Sequence, residues 1–223
     1  MAETKIYGKP IHLFRYRSLG KNCEQEIDAI QSNYIYCSTY SKMNDPMEGA
    51  YDEDRITSII SNRFENKELI KVQISRIGIA SFSETYDHET MWAHYADRFQ
   101  GICVQYNFNS LLRGLEENIE FARMMYSEHA PVLNIDSYDI EEKSKNCLSS
   151  KTIKWSGERE WRMFSPSPGK ISIRRNNPIS KIYLGAKINT HDERQILEIG
   201  RELGIQISKM NLKKYSIDFK PIK

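Results

Sequence analysis

Ile77-Gly78-Ile79-Ala80-Ser81-Phe82 is an apolar run that ends in the polar pair Ser83-Glu84, and it reads as a strand. After it the period changes. Asp87 is placed to cap a helix in which Met91, Trp92, Tyr95 and Phe99 make one apolar stripe. Gly101 stops that helix, and Ile102-Cys103-Val104-Gln105-Tyr106 follows as the next strand. A strand, a short aromatic helix and a second strand thus share one compact stretch.

The same mixture extends in both directions. Toward the amino end, His12 to Arg17 alternates as a strand with a polar tip, and Tyr34 to Thr39 reads as another. Between them, Asn22 and Gln25 resemble a capping box ahead of a short helix carrying Ile27 and Ile30. Ser41 to Gly49 is rich in breakers and reads as a loop, whereas Ile56, Ile59, Ile60 and Phe64 fall at helical spacing. Toward the carboxyl end, 109–115 and 137–150 are expected helices, with a strand from Ile119 to Tyr126 between them. Trp155 to Phe164 holds a strand entered through Gly157, and Ile182 to Leu184 is one more. Thr190-His191-Asp192-Glu193 has the form of a capping box for a helix that ends at Gly204. Ile205 to Leu212 and Tyr215 to Phe219 then complete a sheet. Strict βαβ alternation is missing, so the expected class is α+β with mixed or antiparallel sheets flanked by helices. Without a repeat, a low-complexity tract or a Gly/Ser linker, one domain over residues 1–223 is expected.

Composition narrows the function classes. With 39% hydrophobic and 28% charged residues the chain can bury a core. Its 32 Lys and Arg nearly cancel 30 Asp and Glu, so a bulk pull toward nucleic acid is not evident. No apolar run approaches the ~20 residues that cross a bilayer. Met1 to Pro10 lacks the basic start and apolar centre of a secretory signal, and a cytoplasmic location is expected. Cys23, Cys37, Cys103 and Cys147 are scattered and form no paired motif, which reads as reduced structural thiols and no metal site.

Four polar segments carry the chemistry. Arg15-Tyr16-Arg17 puts both arginines on one strand face and Tyr16 on the other. Asn44-Asp45-Pro46 with Glu48 is first of all a turn. Ser81-Phe82-Ser83-Glu84 leads into Met91-Trp92-Ala93-His94-Tyr95, a hydroxyl-bearing strand end before an aromatic helix. In Trp155-Ser156-Gly157-Glu158-Arg159-Glu160-Trp161-Arg162, the residues Glu158, Glu160 and Arg162 share one face. Two carboxylates at that spacing repel unless they meet water, a cation or a reaction that uses them. Glu158 and Glu160 are the foremost catalytic candidates.

Phe14-Arg15-Tyr16-Arg17-Ser18, Asn44-Asp45-Pro46-Met47-Glu48, Phe82-Ser83, Met91-Trp92-Ala93-His94-Tyr95 and Trp155 to Arg162 together resemble a bacterial family of unknown function found in defence-linked genomic neighbourhoods. That likeness runs from residue 12 to about 185, and a C-terminal helix and strands follow over 190–223. The order of a first-strand Arg, a later strand-end Ser and Glu-x-Glu is also similar to the ADP-ribosyltransferases. This second resemblance implies an enzyme that breaks the nicotinamide–ribose bond of NAD through an oxocarbenium-like state. It implies catalytic roles for four residues: Glu160 on the ribose hydroxyl, Glu158 on the acceptor, Arg17 on NAD phosphate or ribose, and Ser83 supporting Glu160. Arg15 is the alternative to Arg17, and Tyr95 or Trp92 would stack on nicotinamide, with Tyr16, His94 and Asn44 completing the NAD-binding set. Arg17, Ser83 and Glu160 are then expected in one cleft. The usual Ser-Thr-Ser triplet stands here as Ser81-Phe82-Ser83, and spacing does not decide which glutamate is essential.

The expected function is therefore NAD-dependent ADP-ribosyl transfer to a nucleic acid or protein, by a toxin-like effector of bacterial defence or a toxin–antitoxin pair. NAD serves as substrate, no metal is required, an antitoxin protein is a possible partner, and no membrane is involved. Two other readings compete. A metal-dependent nuclease would use Asp45, Glu48, Glu158 and Glu160 as oxygen ligands with His94 as base. A non-enzymatic module would bind a partner protein through its aromatic clusters.

Overall fold

The computed structural model describes residues 8–53, 63–133, 139–175 and 177–222. Ile56, Ile59 and Ile60 lie outside these residues, as does the side chain of Phe64. The architecture is α+β with mixed strand pairing, as the sequence predicts. The described residues gather into two compact units, each assembled from separated stretches of chain.

The first unit comprises the described residues of Met1–Asn33, Ser83–Leu115 and Ile173–Lys223. Its strands lie in the order Ser216–Pro221, Gln206–Lys213, Ile179–Leu184, Ile102–Asn107 and His12–Arg17. Ile179–Leu184 and Gln206–Lys213 run parallel, joined by the helix Thr190–Leu203, while the other neighbours are antiparallel. On one face Phe14, Tyr16, Cys103, Tyr183 and Met210 pack with Met91, Trp92 and Ala96. The helix Thr190–Leu203 covers the other face, where Gly200 lets Ile207 come close; a Cβ there would sit 2.4 Å from its Cδ1.

Helix ends differ from the sequence reading for identifiable reasons. Asn189, one residue earlier than expected, caps Thr190–Leu203 by accepting from the Asp192 N–H at 2.9 Å, and its amide donates to the Asp192 carboxylate at 2.8 Å. The first bond is the N-cap half of a capping box, shifted by one position, but the return bond comes from the Asn189 side chain and not from its backbone N–H. Asn22 stands at the N-cap of Cys23–Gln31 as expected but makes no side-chain cap bond, and the N-cap of Glu89–Tyr95 is His88, one residue after Asp87, again without a side-chain bond. Glu89–Tyr95 also stops well before Gly101. Asp97, Arg98 and Phe99 all take positive φ, a conformation that cannot continue a right-handed helix. Gly101 instead permits a close approach, since a Cβ there would lie 2.1 Å from the Arg17 carbonyl oxygen.

The second unit comprises the described residues of Tyr34–Phe82 and Glu116–Ser172. The strand Glu160–Ser165 lies between Gly78–Ser83 and Glu120–Arg123, and all six of its residues are buried. Phe164 packs with Ile70, Ile74, Ile77, Ile79, Leu133, Cys147 and Leu148. Two of these come from the helix Arg63–Arg76 and two from Ile140–Leu148. Short ladders complete the unit, including a parallel pair of Met125–Ser127 with Ser150–Thr152 that sets Tyr126 opposite Lys151. The four cysteines are buried, and none is joined in a disulfide. No described helix is long and apolar enough to cross a membrane.

Candidate functional site

The strand Glu160–Ser165 presents Glu160, Arg162 and Phe164 to one side, so the face that packs Phe164 into the core also carries two charges inward. Arg162 is buried to 1% exposure and uses its whole guanidinium. Its Nε donates to Glu160 Oε1 at 2.7 Å, and Nη2 lies 2.8 Å from Glu48 Oε1. Its Nη1 donates to the Leu148 carbonyl at 2.6 Å. Leu148 ends the helix Ile140–Leu148, so Arg162 also answers the negative end of that helix dipole.

Lys151 is the second cation. Its ammonium lies 2.7 Å from Glu160 Oε2, 2.8 Å from Glu158 Oε2 and 3.3 Å from Glu48 Oε1. The short strand Ser150–Thr152 positions it beside Tyr126, whose hydroxyl oxygen accepts from the Glu160 N–H at 2.9 Å. Half-buried Trp155 lies against the same ammonium, which sits 5.4 Å from the ring centre. Glu158 belongs to a 3-10 turn, Ile153–Glu158, rather than to the strand. Arg159, with φ 45, carries the chain from that turn into the strand. The structure thus unites the second and fourth polar segments, and Glu158 and Glu160 tolerate each other because the Lys151 ammonium stands between them.

Glu48 comes from the Asn44–Gly49 turn, where Asp45 Oδ1 accepts from the Met47 N–H at 2.9 Å as a turn-forming Asp does. The Tyr40 hydroxyl donates to the Glu48 carbonyl, and Gly49 takes φ 71. Asn44 is exposed on this turn.

Burial by itself pushes the Glu160 carboxyl up, but the charges of Arg162 and then Lys151 outweigh it and lower it to about 2. Burial likewise opposes the charge on Lys151, and Glu160 foremost among the carboxylates holds the ammonium above its ordinary range. Burial raises the Tyr126 phenol to about 12. With Glu160 near its ordinary 4.5 when unfolded and about 2 when folded, its pairing stabilises in full above pH ~4.5 and is lost as pH falls toward 2. Urea unfolding at successive pH values should show stability declining through that window, and Glu160→Gln should flatten the decline. An equal decline in the variant would show that other groups govern it.

The remaining predicted residues belong to the first unit. Arg17 is ion-paired with Glu26, and Arg15 is buried on the same strand. Ser83 is fully buried and accepts from the Thr85 N–H at 3.1 Å, with the two hydroxyl oxygens 3.3 Å apart. The Tyr16 hydroxyl donates to the Thr85 carbonyl. Trp92 is 0% exposed, donates its indole N–H to the Tyr86 carbonyl and meets Tyr16 edge to face. A ring so enclosed has no face left for nicotinamide, and Trp92 is a core residue. Tyr95 is half-buried, and His94 is exposed with its ring 6.3 Å from that of Tyr95.

Sequence reasoning missed Lys151 and Tyr126. The signal for Lys151 was a charge imbalance: Glu158 and Glu160 with Arg162 alone leave one buried carboxylate unanswered. Among the described residues, no group of three or more His, Cys, Asp or Glu is arranged to hold a metal ion. Of the carboxylates that the nuclease reading needs as ligands, Glu48, Glu158 and Glu160 are engaged by Lys151 or Arg162, and Asp45 accepts from the Met47 N–H.

Fold and site define the chain as an α+β protein with a buried, mixed-charge ion cluster. Residues 91–163 match the family described as Protein of unknown function (DUF2971), a span that opens on Met91-Trp92-Ala93-His94-Tyr95 and includes Lys151, Glu158, Glu160 and Arg162. No curated protein matches the chain. No solved structure does so either.

Proposed function

We propose that the chain is an NAD-consuming ADP-ribosyltransferase, with an ADP-ribosyltransferase-like fold and a reaction centre at Glu158, Glu160 and Lys151. The observation that carries this reading is the pairing of Glu158 and Glu160 across one ammonium. A carboxylate held ionised in a dry site is suited to stabilise a ribose oxocarbenium. Lys151 has a flexible stem and is shared by three carboxylates, so the reading requires it to release Glu160 Oε2 when substrate enters. The acceptor is a nucleic acid or a protein, and water in its place gives NAD hydrolysis. A toxin-like effector of bacterial defence, alone or with an antitoxin, is the biological form that the family resemblance favours.

A second reading rests on one observation: both oxygens of Glu160 are already engaged by cations. On that reading the cluster holds the second unit together and the chain is a partner-binding module. Incubating the protein with NAD labelled in its adenylate and a cell lysate separates the two. Label transferred to protein or nucleic acid is expected. Neither transfer nor loss of NAD, from folded protein, would leave the module.

A further inference from the structure

Glu48 departs from the other members of the cluster. Both cations approach its Oε1, at 2.8 Å from Arg162 and 3.3 Å from Lys151. Its Oε2 is buried with no hydrogen-bond partner, on a side chain only 2% exposed. A buried carboxylate oxygen left without a donor is costly, and in native structures such an atom calls for an explanation. The chain beside it reaches the surface: Asn44, Pro46 and Met47 are exposed, Met47 to 57%.

We propose that Glu48 Oε2 accepts a sugar hydroxyl of a nucleoside ligand, the role that the transferase resemblance assigns to Glu160. The inference rests on the transferase reading for its ligand class and on the structure for its residue. Three carboxylates against two cations leave one negative charge in excess, so the site favours a hydrogen-bond donor. A cationic ligand at Oε2 would lie a carboxylate's width from the Arg162 guanidinium and the Lys151 ammonium and be repelled by them. A neutral hydroxyl escapes that repulsion and still satisfies the oxygen. Trp155 adds an aromatic surface beside Lys151, and a nucleoside joins hydroxyls to a flat ring that can stack on it.

The test is calorimetric titration of the full chain with ADP-ribose and with two analogues, one lacking the 2-hydroxyl and the other the 3-hydroxyl of both riboses, the adenosine ribose included. The folded wild type should bind ADP-ribose at least ~10-fold more tightly than one of the deoxy analogues, as expected when a buried acceptor loses its donor. Glu48→Gln leaves two carboxylates facing two cations and should fold, as circular dichroism can verify. Its preference for the hydroxylated ligand should largely disappear. Equal affinities for all three ligands in the wild type, an unchanged preference in folded Glu48→Gln, or no binding at millimolar ADP-ribose would each overturn the assignment. NAD turnover, measured separately, scores the transferase reading. Hydroxyl discrimination lost in Glu48→Gln without turnover in the wild type would support Glu48 as a nucleoside-binding residue and remove the transferase. Turnover with unchanged discrimination would do the reverse.

Discussion

Arg162→Met should lower the free energy of unfolding by about 3–5 kcal/mol, the usual cost of removing one partner from a buried ion pair. Methionine fills similar space, so the loss reports charge and hydrogen bonding more than a cavity. Without the guanidinium, Glu48, Glu158 and Glu160 face Lys151 alone, and the Leu148 carbonyl loses its donor. For a chain of this size that corresponds to roughly 6–20 °C in melting temperature. Thermal melts by circular dichroism, with urea titrations at neutral pH, measure it. Arg162→Lys should recover only part of the loss, because one ammonium cannot reach Glu48, Glu160 and the Leu148 carbonyl together in the guanidinium's fixed geometry. A loss below about 1 kcal/mol in Arg162→Met would mean that the cluster contributes little to stability.

Glu160→Gln should reduce both ADP-ribosyl transfer and NAD hydrolysis by at least ~10²-fold, since it removes the charge proposed to stabilise the oxocarbenium. Glu158→Gln should impair transfer more than hydrolysis, because water needs less orientation than a specific acceptor. The structure alters what folding controls must cover. Glu160 accepts from Arg162 and contacts Lys151, so its replacement weakens charge-assisted bonds instead of relieving repulsion between carboxylates. Charge counting still favours a folded product, with Glu48 and Glu158 left to balance the two cations. NAD consumption and acceptor labelling should be measured in parallel with a melt of each variant. Full activity in folded Glu160→Gln would remove the mechanism.

Much of the fold was legible because it follows from local periodicity. His12 to Arg17 alternates and forms a strand, and the helix ending at Gly204 stops there because glycine accepts φ 66. Helix starts were less legible. Asn22 and Asp87 are good capping residue types, but whether their side chains turn back onto the helix depends on the entering chain. The end of Glu89–Tyr95 was hidden for a similar reason, as three consecutive positive φ values at Asp97, Arg98 and Phe99 have no glycine to announce them.

The sequence by itself determined the α+β class and the strands that carry Arg15 to Arg17 and Glu160 to Arg162, whereas Glu158 reaches Glu160 from a 3-10 turn, through Lys151. The class and those strands depend on spacing along a regular backbone, which residue order specifies. Only the tertiary structure decided that Glu48 and Lys151 join them, that Arg162 also closes a helix end, and that Trp92 is core. Ion pairs between segments over a hundred residues apart, as between Glu48 and Arg162, depend on which strand lies beside which and on what covers their faces. No local pattern encodes that, because a glutamate in a turn has the same neighbours in sequence whether its carboxylate meets water or a buried guanidinium.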